Sequence, residues 1–351
     1  MALLDGLRVL DLTMWRPGPY TTQLLAQLGA DVIKVEPPGG EPMRMFRSHF
    51  DLLNQHKRSV ALDLKDPAGL ARCLELARDA EVFVEGFRPG VADRLGVGHE
   101  ALLALNPGLV YCSLSGYGAH GPLSAVPGHD INYRAYSGSL PSDAMSPETD
   151  ELPVADMGAA TMAAFAITAA CLKARATGIG DRVDLGMTDV LAHWVATVPE
   201  AANGPERVTG YRPGPVPGYG IYPTRDGHAI TLGVVSEERL WAATCRALEL
   251  PDLAGIPFTD RMGRVAEIDA VIAKAVAALD RDTAIGLLEA AGAPVAPVLD
   301  RAEMMAHRHF RHRRVIEDGD LGSPVRTAVH PPLGPGPVAE LDEHGGQGWS
   351  G

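Results

Sequence analysis

Apolar residues follow two alternating patterns along the first third of the chain. Short runs rich in Val, Ile and Leu predict strands, and apolar residues at helical spacing between them predict helices. The strand runs are 7–12, 31–36, 59–64, 81–85 and 109–114, and the helical runs are 20–28, 67–78 and 100–105. Strands that alternate with helices favour an α/β fold with an open, mostly parallel, Rossmann-like sheet.

The pattern changes beyond residue 115. Residues 115–155 contain many Gly, Pro and Ser and little periodicity, and a loop region of this length is usually functional. A helix of small apolar residues is predicted from Met157, and a strand follows at 181–185. Because the apolar stretch is shorter than the roughly 20 residues that span a bilayer, we expect it to be a buried helix of a soluble protein.

A smaller α+β domain is predicted after the Pro- and Gly-rich passage 204–220. Its first feature is a hairpin pattern around an Asp-Gly turn at 226–227. Three helical patterns follow, at 237–248, 265–279 and 282–291.

These patterns set the expected domain boundaries. We expect a large domain over residues 1–204 and the smaller domain over 205–308. The remaining residues, 309–351, are expected to return to the large domain.

Composition narrows the possible functions. Asp and Glu number 44 and Lys and Arg 31, which gives a net charge of −13. Nucleic acid is an improbable partner for such a chain, because binding it requires a positive surface. The four cysteines form no CxxC pair, which argues against structural zinc and a disulfide framework. No secretory segment or membrane span is predicted, so we expect a cytoplasmic protein with reduced thiols.

The first strand, turn, helix and second strand imitate a dinucleotide-binding unit. That site needs the G-x-G-x-x-G pattern, because bare backbone must approach the pyrophosphate. The turn here, 16–19, is Arg-Pro-Gly-Pro, with one glycine and two prolines that lack amide donors. We therefore expect no NAD.

Three segments place polar groups in apolar or glycine-rich surroundings: 128–133, 153–158 and 237–241. Each has an ordinary structural interpretation. His129 fits a loop hydrogen bond, Asp156 fits a helix N-cap, and Glu237 fits a helix first turn, where the dipole favours acidic residues. Considered singly, none identifies a catalytic site.

In combination, the segments resemble a known family. Segment 128–133, Gly-His-Asp-Ile-Asn-Tyr, resembles the histidine motif of the α-methylacyl-CoA racemases, which share the fold of the family III CoA-transferases (CaiB/BaiF). Further matching segments occur in order at 7–12, 28–37, 59–65, 85–91, 115–118 and 294–298. This resemblance covers nearly the whole chain. It implies an interlocked homodimer that binds an acyl-CoA thioester along the large domain, with no metal and no further cofactor.

The resemblance also implies roles for individual residues. His129 and Asp156 would be the two acid/base groups, and Glu237 would orient the histidine. Glu238 is the second choice for that role, because the family's usual Glu-Pro is Glu-Glu here. The expected CoA contacts are Arg88, Lys57, Arg58, Leu62 and Tyr133.

These residue types suit racemisation of a 2-methylacyl-CoA. Moving an α-proton between the two faces of a thioester needs two acid/base groups on opposite sides of one carbon. The enolate-like intermediate needs donors at its oxygen, and the amides of Met157 and Gly158 are the candidates. Glycine at 158 would also allow close approach of the substrate.

A CoA-transferase is the alternative, because the same Asp156 could act as a nucleophile and form an aspartyl acyl-enzyme. His129 favours the racemase. The loop 214–220, whose glycines are separated by prolines, is a poor match to the glycine-rich loop of the transferases. A CoA-binding protein without turnover is a third possibility. The His- and Arg-rich run 307–314 is interpreted as an exposed or partner-contacting face, so no metal is assigned.

Overall fold

Six parallel strands form the main sheet in a computed structural model, which describes residues 1–140, 152–197 and 216–349. The strands are β1 (Arg8–Leu12), β2 (Asp31–Glu36), β3 (Lys57–Ala61), β4 (Val82–Glu85), β5 (Val110–Ser115) and β6 (Asp181–Gly186). Their order across the sheet is β3-β2-β1-β4-β5-β6. The order reverses between β1 and β4, and ligands of open α/β sheets bind at such a point, outside the carboxyl ends of the strands.

Helices cover both faces of this sheet. They are α1 (Pro17–Gln27), α2 (Arg47–Leu53), α3 (Pro67–Asp79), α4 (Val91–Arg94), α5 (His99–Leu105), α6 (Asp130–Ser137), α7 (Val154–Thr177) and α8 (Met187–Ala196), with a 3₁₀ turn at Pro42–Met45. Two separate apolar cores result, one with α1, α7 and α8 and the other with α3 and α5. The predicted open, mostly parallel α/β sheet is confirmed.

Helix α7 is long and apolar enough to cross a membrane by length and composition. It instead packs against α1 and α8 and against the strands β5 and β6. Ala155, Ala159, Ala163 and Ile167 are fully buried in that core. The helix begins at Val154, three residues before the predicted start at Met157.

A second compact unit contains residues 216–307 of the described chain. Its antiparallel sheet contains β7 (Tyr219–Pro223), β8 (Ala229–Gly233) and β9 (Val295–Pro297). Its helices are α9 (Glu238–Ala247), α10 (Phe258–Met262), α11 (Val265–Val276), α12 (Arg281–Ala291) and α13 (Arg301–Ala306). The hairpin of β7 and β8 has its turn at the predicted Asp-Gly pair, where Gly227 adopts the left-handed φ of +81°.

The C-terminal segment from Arg308 belongs to the first unit. It begins with α14 (Arg308–His312) and a short antiparallel pair, β10 (Ile316–Glu317) and β11 (Asp320–Leu321). Its last part lies along the edge strand β3. There the His344 amide donates to the Ser59 carbonyl at 3.0 Å, and the Ala61 amide donates to Asp342 Oδ1 at 2.9 Å.

Candidate active site

Helices α1 and α7 both begin at the carboxyl edge of the parallel sheet. Helix α1 follows β1 and α7 precedes β6, so both run opposite to the strands they adjoin. The two helices pack side by side, and the Thr21 hydroxyl lies 3.3 Å from the Ala160 carbonyl, to which it donates. Asp156 is the third residue of α7 and therefore lies at the edge where ligands of such sheets bind.

The carboxyl group of Asp156 is half-buried and strongly perturbed. Burial and the negative charge of Asp130 together raise its pKa to about 7, against the opposing charge of the Arg16 guanidinium. Asp156 therefore exchanges protons near neutral pH. A perturbed carboxyl group in such a position is a strong candidate for a functional residue.

Asp130, the first residue of α6, caps the start of α7 from outside that helix. Its Oδ1 accepts hydrogen bonds from the backbone amides of Ala155 at 2.7 Å and Asp156 at 3.1 Å. Asp130, rather than Asp156, thus satisfies the first free amides of α7, which every helix start leaves without a partner. The N-cap interpretation of Asp156 is therefore wrong.

His129 directly precedes Asp130 and is exposed. Its backbone amide donates to Asn132 Oδ1 at 3.0 Å, which fixes the first turn of α6. No hydrogen bond joins His129 to Asp156, both of which lie in described parts of the chain. The link between the two residues is indirect: Asp130, which follows His129 in sequence, accepts a hydrogen bond from the backbone amide of Asp156.

The charges of Asp156 and Arg88 act on the Tyr133 hydroxyl in opposite directions. Burial and the negative charge of Asp156 raise the pKa of this hydroxyl to about 12, and the positive charge of Arg88 opposes that rise. The hydroxyl donates to the Gly128 carbonyl at 2.5 Å, and the ring lies edge-on to Tyr117, with the centroids 5.2 Å apart. A side chain at Gly128 would overlap this ring. The Gly-His-Asp-Ile-Asn-Tyr segment therefore folds around its own tyrosine.

Comparison with known proteins gives the family. The sequence model of CoA-transferase family III matches residues 4–338. The chain belongs to CoA-transferase family III. Enzymes of this family act on CoA thioesters without a cofactor.

Two curated relatives of the family are similar over almost their full length. The acetyl-CoA:oxalate CoA-transferase of Acetobacter aceti is 32% identical, over 97% of this chain and 93% of that protein. The succinyl-CoA:mesaconate CoA-transferase of Haloarcula hispanica is 32% identical, over 98% of this chain and 95% of that protein. Both names describe transferases, which favours the alternative activity over the expected racemase.

Solved structures agree with the family assignment. A CAIB/BAIF family protein from Brucella suis superposes with a TM-score of 0.84 at 26% identity, over 98% of this chain and 97% of that one. The Rv3272 protein of Mycobacterium tuberculosis gives a TM-score of 0.85 at 28% identity, over 99% of each chain. The chain is accordingly a soluble globular protein, while the cytoplasmic location and the homodimer stay predictions.

The amides proposed for the enolate oxygen are not available. Because α7 begins at Val154, the Met157 amide already donates to the Pro153 carbonyl at 3.0 Å. Gly158 lies one residue deeper in the helix. Its place is explained by packing, since an ideal Cβ there would lie 2.6 Å from the Trp194 ring. The expected roles of both residues are wrong.

Two of the predicted CoA contacts use their donors inside the protein. The buried Lys57 ammonium donates to Asp11 Oδ2 at 3.2 Å and to the Pro19 carbonyl and Asn54 Oδ1 at 2.9 Å each. These three acceptors occupy all three of its protons. Arg58 binds both oxygens of Asp31, at 2.7 and 2.6 Å from Nη2. Both cations are thus engaged inside the protein, and their contacts with CoA stay predictions.

Arg88 is exposed directly after β4. It lines a cavity of about 100 Å³ at the carboxyl ends of β4 and β5, together with Phe87, Tyr111, Ser113 and Arg182. Leu62, another predicted contact, is half-buried beside the core under α3. The contacts of Arg88, Leu62 and Tyr133 with CoA stay predictions.

Glu237 and Glu238 belong to the second unit. Glu237 precedes α9, is exposed, and accepts from the Val235 amide at 3.0 Å. Its own backbone amide and then that of Val235 lower the pKa of its carboxyl group. Glu238 accepts from the Phe258 amide at 2.8 Å and lies 3.3 Å from the buried Arg261. Either residue's role beside His129 stays a prediction.

Two residues of the site were missed by sequence analysis. Asp130 was treated as part of a motif and not as the acceptor of the α7 amides. Arg16, whose charge acts on Asp156, was considered only as part of the turn that rules out NAD. The position of Arg16 at the start of α1 indicates that it lies near Asp156 only once the topology is known, because α1 and α7 begin at the same sheet edge.

Proposed function

We propose that the protein transfers CoA from an acyl-CoA thioester to a second carboxylic acid, with Asp156 as the nucleophile. The observation that supports this most directly is the Asp156 carboxyl group itself. It is half-buried at the carboxyl edge of the sheet, and no side chain in the described chain hydrogen-bonds to it. Its backbone, by contrast, is held by Asp130. A fixed backbone with a free carboxylate suits a nucleophile.

The reaction would proceed through two exchanges at this carboxylate. An Asp156 oxygen attacks the thioester carbonyl, the C–S bond breaks, and an anhydride and the CoA thiolate form. The thiolate then attacks the Asp156 carboxyl carbon and releases the donor acid as a carboxylate. The acceptor carboxylate then attacks the aspartyl thioester, which releases the CoA thiolate and forms a second anhydride. The thiolate attacks the acceptor's carbonyl carbon, so the new acyl-CoA forms and the Asp156 carboxylate is regenerated. No net proton or electron is transferred.

Electrostatics would set the pH range of this chemistry. Only the ionised carboxylate is a nucleophile. Because the pKa of Asp156 is raised to about 7, a minority of the enzyme is reactive at pH 6 and most of it at pH 8. A desolvated carboxylate is also more reactive than one in water, provided that it is ionised.

Racemisation is the second candidate, and one observation favours it. A carboxyl group with a pKa of about 7 can both give and take a proton at neutral pH. His129, next to the residue that caps α7, would supply the acid/base group on the opposite face of the α-carbon. Its exposed position and the Met157 amide, which is already hydrogen-bonded, do not support the rest of that mechanism.

Trapping and isotope exchange separate these candidates. We would incubate the enzyme with succinyl-CoA and then hydroxylamine, which converts an aspartyl anhydride or thioester to a hydroxamate, and map the modified residue by mass spectrometry. The transferase predicts modification of Asp156, with none in Asp156→Asn and full modification in Asp79→Asn, an exposed control. A parallel incubation of 2-methylacyl-CoA in deuterated water reports α-proton exchange. Exchange without any trapped hydroxamate would contradict the transferase and support racemisation.

A further inference from the structure

The turn between β1 and α1 is held in a strained conformation. Trp15 has a left-handed φ of +67°, which bulky residues rarely adopt. Its amide donates to Glu41 Oε2 at 3.2 Å, and the preceding Thr13 carbonyl accepts from Lys34 Nζ at 2.8 Å. Residues held in such conformations often belong to functional sites, so the residues of this turn need an explanation.

A buried ion pair, Lys34 and Glu41, holds the backbone of this turn. Lys34 and Glu41, which are 1% and 2% exposed, lie 3.6 Å apart and each bonds the turn backbone. Burying an ion pair seldom stabilises a fold, since desolvation offsets the attraction. The pair instead fixes one conformation of the turn, and with it the start of α1.

Arg16 is the residue that this turn presents. It is half-buried, and in the described chain its guanidinium makes no hydrogen bond and no ion pair within 4.0 Å. An arginine that is half removed from water ordinarily has an anionic or carbonyl partner.

The packing of α1 on α7 places Arg16 near Asp156. Thr21, five residues after Arg16, bonds the carbonyl of Ala160, four residues after Asp156. Because the two helices run in the same direction, their first turns lie at the same level. The positive charge of Arg16 acts on the Asp156 carboxyl group and opposes the rise of its pKa.

We propose that Arg16 binds the free carboxylate of the substrate acids at Asp156. This inference rests on the proposed CoA transfer. In the resting enzyme the Arg16 charge balances the Asp156 carboxylate. Once Asp156 is an anhydride or a thioester, that negative charge is gone, and Arg16 can pair with the departing donor carboxylate and next with the entering acceptor.

The chemistry of the arginine side chain defines the kind of ligand that this position takes. A guanidinium presents two parallel N–H groups that match the two oxygens of a carboxylate. It would bind a monocarboxylate or one end of a dicarboxylate, and it would not recognise the CoA thiolate. Acyl-CoA binding should therefore be independent of Arg16.

A binding measurement tests the proposal without relying on turnover. Asp156→Asn provides a neutral residue in place of the charged one, as in the intermediates. We would titrate this variant with succinate by calorimetry and compare it with the double variants that add Arg16→Gln, Arg16→Lys or Arg78→Gln. Arg78 is an exposed arginine at the far end of α3 and serves as the matched control.

We expect Arg16→Gln to weaken succinate binding by about tenfold or more, the usual effect of losing a charged hydrogen-bonded partner. Arg16→Lys should retain most of the affinity, and Arg78→Gln all of it. Equal affinity in the Arg16→Gln and control proteins, or no saturable succinate binding in Asp156→Asn, would overturn the proposal.

A second measurement separates this proposal from the proposed function. In the enzyme with an intact Asp156, exchange of labelled succinate into succinyl-CoA should show a raised KM for succinate in Arg16→Gln and an unchanged KM for succinyl-CoA. Added guanidinium ion should restore part of the exchange in Arg16→Ala. Absence of hydroxamate trapping in the wild-type enzyme would refute the nucleophile, whereas succinate binding that depends on Arg16 would still stand.

Discussion

The Asp130 carboxylate lies 3.1 Å from the backbone nitrogen of Asp156 and accepts its hydrogen bond. One acidic residue thereby fixes the backbone of another. The hydrogen bond orients the first turn of α7, while the charge of Asp130 disfavours ionisation of the Asp156 side chain. Positioning and reactivity at this site are thus separable by substitution.

Asp130→Asn should shift the pH dependence of CoA transfer. Asparagine retains an oxygen that can accept from the α7 amides, but it lacks the negative charge that raises the pKa of Asp156. The pKa should fall, and the acid limb of the kcat/KM profile should move to lower pH. The measurement is succinate exchange between pH 5 and 9 for the wild-type and variant enzymes. A profile that keeps its acid limb, with normal thermal stability, would refute the electrostatic role.

Asp156→Asn should abolish transfer and stabilise the fold at alkaline pH. A carboxyl group whose pKa rises on folding favours the folded state below its unfolded pKa, and this contribution is lost as pH rises through the folded value of about 7. At pH 8 the ionised carboxylate destabilises the wild-type protein, so the variant should be more stable by about 2 kcal/mol, allowing for partial solvent screening.

Urea unfolding of the two proteins at pH 4.5 and pH 8 measures this difference. Most of the stabilisation should appear at pH 8, because at pH 4.5 the Asp156 carboxyl group of the folded protein is still neutral and only that of the unfolded chain has ionised. An equal difference at the two pH values would show that it does not arise from ionisation of Asp156.

Lys57→Met should destabilise the first unit by about 3–5 kcal/mol, the usual cost of removing one partner of a buried ion pair. The substitution leaves the Asp11 carboxylate, which is fully buried, without its ammonium partner at 3.2 Å. Combining it with Asp11→Asn in a double-mutant cycle should recover part of the loss. Phosphate binding by Lys57 would instead predict weaker CoA binding with normal stability.

Gly158→Val should disturb the packing of α7 on α8. The added Cβ would lie 2.6 Å from the Trp194 ring, and forcing extra atoms into a filled space typically costs about 1–3 kcal/mol. Adding Trp194→Ala, which makes room for the valine, should restore much of the stability in chemical denaturation. If glycine serves substrate approach alone, the single variant would unfold normally and lose activity only.

Regular parts of the fold could be predicted because their sequence patterns are local. Val32, Ile33 and Val35 identify a buried strand without reference to the rest of the chain, and this pattern predicted the parallel sheet. The start of α7 was placed three residues late because the group that caps it, Asp130, is remote in sequence. No helix-start pattern can include such a partner.

The charged residues show the same limit. Lys57 next to a strand suggests a solvent-exposed cation, but its partners Asp11, Pro19 and Asn54 surround it only after the chain has folded. Asp156 was found because its segment resembles a family motif, while Arg16 needed the topology that aligns two helix starts. The choice between racemase and transferase depended on whole-chain similarity, since Asp156 suits both reactions.

The attachment of the C-terminal segment to β3 also determines when the first unit can be completed. Ala61 and its partner Asp342 are 281 residues apart, and the whole second unit is synthesised between them. At cellular translation rates this interval is on the order of tens of seconds. Until then the outer edge of a nearly finished sheet is open to solvent or to a chaperone, and its unpaired backbone groups can pair with a strand of another nascent chain. The order of synthesis therefore leaves the β3 edge open to misassembly until the last part of the chain has been made.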